Sequence, residues 1–176
     1  MKNKIIGFIG AGNMGSAMIG GICHSGLVAS EQIFVSAHSA ATVEKIRTTY
    51  GVRTTLFNEE VASESDILFL AIKPYQFADV LPAIATSLKE DCIVVSVAAG
   101  QSIAAIEKFL GGHIKLVRSM PNTPALVGES MSALCCNANV TSEELILVKQ
   151  LFECFGKARN SYPKPRYRSF IGSYRN

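Results

Sequence analysis

"GFIGAGNMGSAM", residues 7–18, decides how the rest of the chain is read. A strand-like apolar run meets three glycines and then a run of small residues suited to a helix. The glycines are Gly10, Gly12 and Gly15, in the pattern G-x-G-x-x-G. Set between a strand and a helix, that pattern is a dinucleotide-binding turn. Gly10 permits the tight turn, Gly12 lets the backbone approach a pyrophosphate, and Gly15 lets the helix pack on the strand. The first N–H groups of the helix then face the phosphates. A tight turn with no ligand is the plainer alternative.

Outward from this turn, strand and helix signals alternate. "KIIGFIG" (4–10), "QIFVSA" (32–37), "DILFLAI" (66–72), "CIVVSVA" (92–98) and "IKLVRSM" (114–120) are strands. "VRTTL" (52–56) is a short one, and "SMSALCC" (130–136) reads as a seventh strand at the sheet edge. Helices are expected over 13–25, 40–50, from Pro74 to about Ser87, over 103–110 behind a Ser102 cap, and over 142–155. Thr141 and Glu144 form a capping box for the last of these. Asn58 is placed to cap a short helical turn, "NEEVASES", with Glu59 and Glu60 in its first turn, where the helix dipole favours acids. Strands that are apolar throughout are buried on both faces, which means a parallel sheet covered by helices. Repeated strand–helix units give an α/β fold: a doubly wound, mostly parallel, Rossmann-like sheet with right-handed crossovers.

Composition narrows the function. The chain has 176 residues, 48% hydrophobic and 18% charged, enough for one sizeable core. No apolar run reaches the roughly 18 to 20 residues of a membrane span, and no membrane role is expected. The N-terminal apolar run is cut by Gly7, Gly10 and Gly12, so it reads as a strand and not a signal peptide. The net charge is +3, but six of the 17 basic residues fall in 157–176, leaving 11 basic against 14 acidic in residues 1–156. The main body therefore offers no nucleic-acid surface. The five cysteines have neither zinc spacing nor an even count, which points to reduced thiols in a cytoplasmic protein and to no metal.

The end of the second strand speaks to the choice of nucleotide. An NAD site usually has an acid there to hold the ribose hydroxyls. This chain has Ser36, Ala37, His38 and Ser39. Hydroxyls and a histidine suit a 2′-phosphate better, so the expected cofactor is NADP(H), with NAD(H) the alternative. His38 as a solvent histidine at a helix start is the other reading. Ligands of open α/β sheets bind beyond the carboxyl ends of the strands. Those ends read "AIKPYQ" (71–76), "VAAG" (97–100) and "RSMPNTP" (118–124). Ala98, Ala99 and Gly100 let a flat ring pass close to the backbone. Lys73 could meet a phosphate or a carboxylate, or merely extend into solvent. Pro121, Asn122 and Pro124 would make a rigid substrate-side loop, with Asn122 either aimed inward or a simple turn residue.

At these loops the sequence resembles pyrroline-5-carboxylate reductase. The resemblance rests on "GFIGAGNMGSAMIGG" (7–21), "LFLAIKPYQF" (68–77), "VVSVAAG" (94–100) and "RSMPNTPALVGES" (118–130), and covers about residues 3–158. It implies NADPH-dependent reduction of the cyclic imine 1-pyrroline-5-carboxylate to proline in the cytoplasm. It implies cofactor contacts along Ile9, Gly10, Ala11, Gly12, Asn13, Met14 and Gly15, and at Ser36 and Asn58. Further implied contacts are Ala71, Ile72, Lys73 and Pro74 in one loop and Val97, Ala98 and Ala99 in another. Hydride transfer to a C=N bond needs an oriented nicotinamide, a held substrate and a proton on nitrogen, so no metal is required. No residue stands out as catalytic. A nucleotide-binding module without catalysis, and a related imine or ketone reductase, are the competing readings.

The expected division is a dinucleotide-binding domain over 1–158 and a basic tail over 159–176. The resemblance implies a following helical domain that carries the family's homo-oligomer interface and much of its substrate pocket. Instead the chain continues "RNSYPKPRYRSFIGSYRN", with three of the five tyrosines and no amphipathic period. This reads as a stretch translated out of frame, or as a basic aromatic segment for an acidic partner. With the helical domain absent, the expectation is that the chain binds NADPH but reduces the imine poorly.

Overall fold

The runs that are apolar without alternation became strands buried from both sides. The structure, a computed structural model, describes Met1, residues 3–120 and residues 130–160. Every residue of β1 (Ile6–Ile9), β2 (Ile33–Ser36), β4 (Ile67–Leu70) and β5 (Ile93–Ser96) is buried. β3 (Arg53–Thr55) is half-buried at one edge, and β6 (Lys115–Ser119) is buried beyond its first residue. With β7 (Ser130–Cys136) and β8 (Gly156–Asn160) they form one sheet in the order β3-β2-β1-β4-β5-β6-β7-β8. β1 to β6 are mutually parallel, β7 runs antiparallel to β6, and β8 runs parallel to β7. The expected α/β, doubly wound, mostly parallel sheet is therefore present.

Helices cover both faces. On one lie α1 (Asn13–Ser25), α2 (Ala40–Tyr50) and α6 (Ser142–Glu153), closing over Phe8, Phe69, Val95 and Val117. On the other lie α3 (Asn58–Glu64), α4 (Phe77–Ala85) and α5 (Ile103–Leu110), closing over Ile9, Leu70, Val94 and Leu116. Neighbouring strand residues thus feed opposite cores. Phe8 stacks on Phe69 at 4.7 Å, and Phe152 links Phe69 to Phe155 at 5.8 and 5.2 Å.

Capping follows the sequence in most places. Ser102 accepts from Ala105 N at 3.1 Å, and Thr141 and Glu144 exchange both bonds of their box. Three readings need correction. β7 is not at the edge, because β8 pairs along its outer side. The helix from Pro74 is a 3-10 turn, Pro74–Gln76, followed by α4, which ends at Ala85. Asn58 does not cap α3: it is the first helical residue, Phe57 holds the cap position, and the Asn58 amide is engaged elsewhere. Of the segment 159–176, Arg159 and Asn160 end β8, and the rest lies outside the described residues. All five cysteines are free thiols. Cys92 is buried, and desolvation pushes its pKa up to about 12. No helix among the described residues is long and apolar enough to cross a membrane.

The amino ends of the parallel strands are closed by polar side chains. Asp66 accepts from Ile5 N at 2.8 Å and pairs with Lys89 at 3.4 Å. Lys115 sits 2.7 Å from both Asp91 and Glu144. Hydrogen bonds from those two carboxylates push the Lys115 ammonium up to about 12. The Asp91 carboxyl is lowered in return by its bond to Lys115. For Glu144, burial pushes upward, but the bonds from Lys115 and Thr141 outweigh it and the carboxyl is lowered.

Candidate functional site

The glycine turn begins where β1 ends. Gly10 has φ +98°, a conformation that side chains other than glycine rarely adopt, and its N–H donates to Ser36 O at 3.0 Å. A Cβ on Gly10 would lie 2.6 Å from the Ala71 carbonyl oxygen, so only glycine lets β1 leave the sheet beside β4. A Cβ on Gly15 would lie 2.5 Å from Gly10 O, which brings α1 down onto the turn. Gly12 is different: a Cβ there would meet nothing within 4 Å. Its missing side chain leaves open space, so packing gives no reason for glycine at this position, whereas a ligand lying against the backbone does. The first helical bond of α1 is donated by Ser16 to Gly12 O at 2.8 Å. The N–H groups of Asn13, Met14 and Gly15 come before it and are available to an anion.

This turn forms one wall of a cavity of about 340 Å³. The cavity lies between β1 and β4, where the strand order reverses, the usual ligand position in an open α/β sheet. Ile9, Gly10, Ala11 and Gly12 line it beyond β1, and Ala71, Ile72 and Lys73 beyond β4. Ala37, His38 and Thr42 line it beyond β2, and Leu56 and Asn58 beyond β3, with Gln76 and Val80 closing the side toward α4. His38 is exposed and stands one residue before Ser39, which caps α2 by accepting from Thr42 N at 3.2 Å. It is thus both at a helix start and on the cavity wall. Lys73 is exposed, its N–H donates to Gln76 Oε1 at 3.0 Å, and among the described residues its ammonium has no carboxylate partner.

Several residues expected from sequence lie beside the cavity and not on its wall. Ser36 is fully buried, and its Oγ donates to Asn58 Oδ1 at 2.7 Å, so it stands behind Asn58. Pro74 opens the 3-10 turn. Val97, Ala98 and Ala99 follow β5, one strand further along, with Ala98 buried and Ala99 exposed. Pro121 and Asn122 lie outside the described residues. The sequence reading did not include Thr42, Leu56 or Val80 as site residues, and it named Ala37 and Gln76 without a role. A usable signal existed for Gln76, three residues after Lys73, where its side chain can fold back on the turn.

Comparison with known proteins agrees with this geometry. A family model described as NADP oxidoreductase coenzyme F420-dependent matches residues 5–100. Over 155 residues, 88% of its length, the chain is 43% identical to the pyrroline-5-carboxylate reductase of Escherichia coli (strain K12). Over 158 residues it is 35% identical to that of Methanosarcina acetivorans. It spans 58% of each of these two proteins. Among solved structures, a pyrroline-5-carboxylate reductase from Coxiella burnetii superposes with TM-score 0.87 at 29% identity, covering 93% of this chain and 60% of that one. A Plasmodium falciparum pyrroline carboxylate reductase with NADP bound gives TM-score 0.81 at 32% identity, covering 92% and 59%.

Proposed function

The chain belongs to the NADP oxidoreductase coenzyme F420-dependent family, and from that membership we propose that it forms the nucleotide-holding part of an NADPH-dependent pyrroline-5-carboxylate reductase. The observation that carries this reading is the space beside Gly12, which opens on the cavity at the β1/β4 reversal. The similarity to pyrroline-5-carboxylate reductases supplies the substrate class.

The residues present fit a dinucleotide. The open side of Gly12 admits a pyrophosphate against the backbone, and the N–H groups at the start of α1 donate to it. Lys73 adds a positive charge at the rim, where phosphate or a substrate carboxylate can reach it. No acid occurs between Ser36 and Ser39, so the end of β2 does not repel a 2′-phosphate, and His38 and Thr42 stand there to receive one. Exposed Ala99, just beyond β5, offers a small surface that does not obstruct a flat ring. A nicotinamide nucleotide held at Gly12, the start of α1 and Lys73 would supply hydride for reduction of a C=N bond, with a proton needed at the imine nitrogen. The chain's own part is to bind, to orient and to set the charge around the site. The step belongs in the cytoplasm.

The test is a titration of the 176-residue chain with NADPH and NADH, read by cofactor fluorescence, followed by addition of 1-pyrroline-5-carboxylate. Saturable NADPH binding, tighter than that of NADH, is expected. An unchanged signal at millimolar cofactor would remove the reading. NADPH loss matched one to one by proline supports the substrate half. A rate equal to that of buffer would withdraw that half for this chain and leave the nucleotide half standing.

A further inference from the structure

We propose that Ser36 is a positioning residue, which holds the Asn58 amide so that the cavity meets a donor group and not an acceptor. The inference rests on the reading of the cavity as a dinucleotide site. Ser36 is fully buried at the end of β2 and is not among the residues lining the cavity. Its hydroxyl has one proton and two acceptors in reach, Asn58 Oδ1 at 2.7 Å and Phe8 O at 3.4 Å. The shorter bond takes the proton.

Asn58 stands between Ser36 and the cavity. An asparagine at the start of a helix ordinarily spends its side-chain oxygen on the helix's own N–H groups. Here it makes no cap, and α3 opens without one. Its Oδ1 is spent on Ser36, and its Nδ2 has no hydrogen-bond partner among the described residues. Asn58 itself lines the cavity. With the oxygen held inward, the two Nδ2 protons are left for whatever fills the cavity. That group must bring an acceptor: a ribose or phosphate oxygen of the nucleotide. Without the Ser36 hydroxyl the amide can turn over and set its own oxygen against that acceptor, which is repulsive. Ser36 therefore acts on the ligand through Asn58 without touching it.

A double-mutant cycle on NADPH affinity tests this, using the full chain with thermal midpoints measured alongside. Ser36→Ala and Asn58→Ala are each expected to weaken binding about tenfold, the worth of one hydrogen bond. In the Asn58→Ala background, Ser36→Ala should add nothing further. Asn58→Asp keeps the acceptor for Ser36 but puts a carboxylate oxygen where Nδ2 stood, and should bind more weakly than Asn58→Ala. An unchanged affinity in Ser36→Ala overturns the proposal. So does the same factor in both backgrounds, which would mark a purely structural serine. So does an Asn58→Asp variant that binds as tightly as the parent, because the amide would then be accepting from the ligand. Should Ser36→Ala fail to fold, the Asn58→Asp result decides alone. If the parent chain binds no NADPH, the functional reading itself has failed and this proposal falls with it. If the parent binds and the coupling is missing, only this proposal fails.

Discussion

At the amino ends of the parallel strands charged side chains close on one another, Asp66 on Ile5 N and Lys89, and Lys115 on Asp91 and Glu144. At the carboxyl ends Gly10, Gly12, Ala37 and Ala71 leave an open cavity, and α1 begins there with no side chain capping its first N–H groups. The strands and helices are the same ones at both ends, so the contrast comes from the loops. Every helix that follows a parallel strand starts at the carboxyl end, which gathers the positive ends of the helix dipoles on one side. That side attracts an anion before any lysine is counted. The other side collects helix ends and strand starts, where loose chain has to be fastened. The difference teaches that charge at one end serves stability and its scarcity at the other serves binding.

If the two ends are independent, variants at one should leave the other's measurement alone. The largest separation is expected from Gly12→Val. No protein atom lies near the new Cβ, so the melting temperature should stay within about 2 °C, while NADPH affinity falls a hundredfold or more, about 2.7 kcal/mol. A melting temperature lowered by 10 °C would show that Gly12 serves packing after all. Asp66→Ala is the mirror experiment. It strands the Ile5 N–H and removes the Lys89 ion pair, though Lys89 still donates to Glu64 O, and about 2 kcal/mol of stability should be lost with NADPH affinity unchanged within twofold. Urea unfolding and the cofactor titration, run on one sample, decide it.

Lys73→Ala should weaken NADPH about fivefold, about 1 kcal/mol, at low salt and less at high salt, with no change in melting. Salt-independent weakening would mean that Lys73 acts by shape and not by charge. The smallest effect is at Lys115. The carboxyls of Asp91 and Glu144 are lowered, so their contribution is present above the ordinary carboxylate range and is lost as pH falls through the lowered values. Lys115 is raised, so its contribution is whole below about pH 10 and is lost as pH climbs toward about 12. Lys115→Met should cost about 0.5 kcal/mol at pH 7 and flatten both limbs of the melting-temperature profile. A parallel downward shift at every pH would assign the loss to packing.

The sheet was legible because burial on both faces leaves its mark in consecutive residues, as in Ile67–Leu70 and Ile93–Ser96. β8 was not, because "GKARN" alternates: Ala158 turns into the core while Lys157 and Arg159 face solvent, and five such residues carry little signal alone. The glycine turn was legible in the tight turn at Gly10 and the close packing at Gly15. Asn58 was misread because local sequence describes only its local option, capping α3. Its actual partner, Ser36, is 22 residues away, and the two meet only because β2 and β3 lie side by side. Thr42, Leu56 and Val80 reached the cavity in the same way, through the assembled sheet and not through a motif.

The central place of β1 sets a timetable for synthesis. Ile6 pairs with Ile33 on one side and with Ile67 on the other. Translation adds about 5 to 20 residues per second, so roughly 3 to 12 s pass between the appearance of Ile6 and that of Ile67. For that interval a fully buried strand in the middle of the sheet has an edge uncovered, and the glycine turn has no Ala71 to close against. The glycine turn is thus complete as a motif well before the Ala71 it packs against exists, and it closes only when β4 has been made.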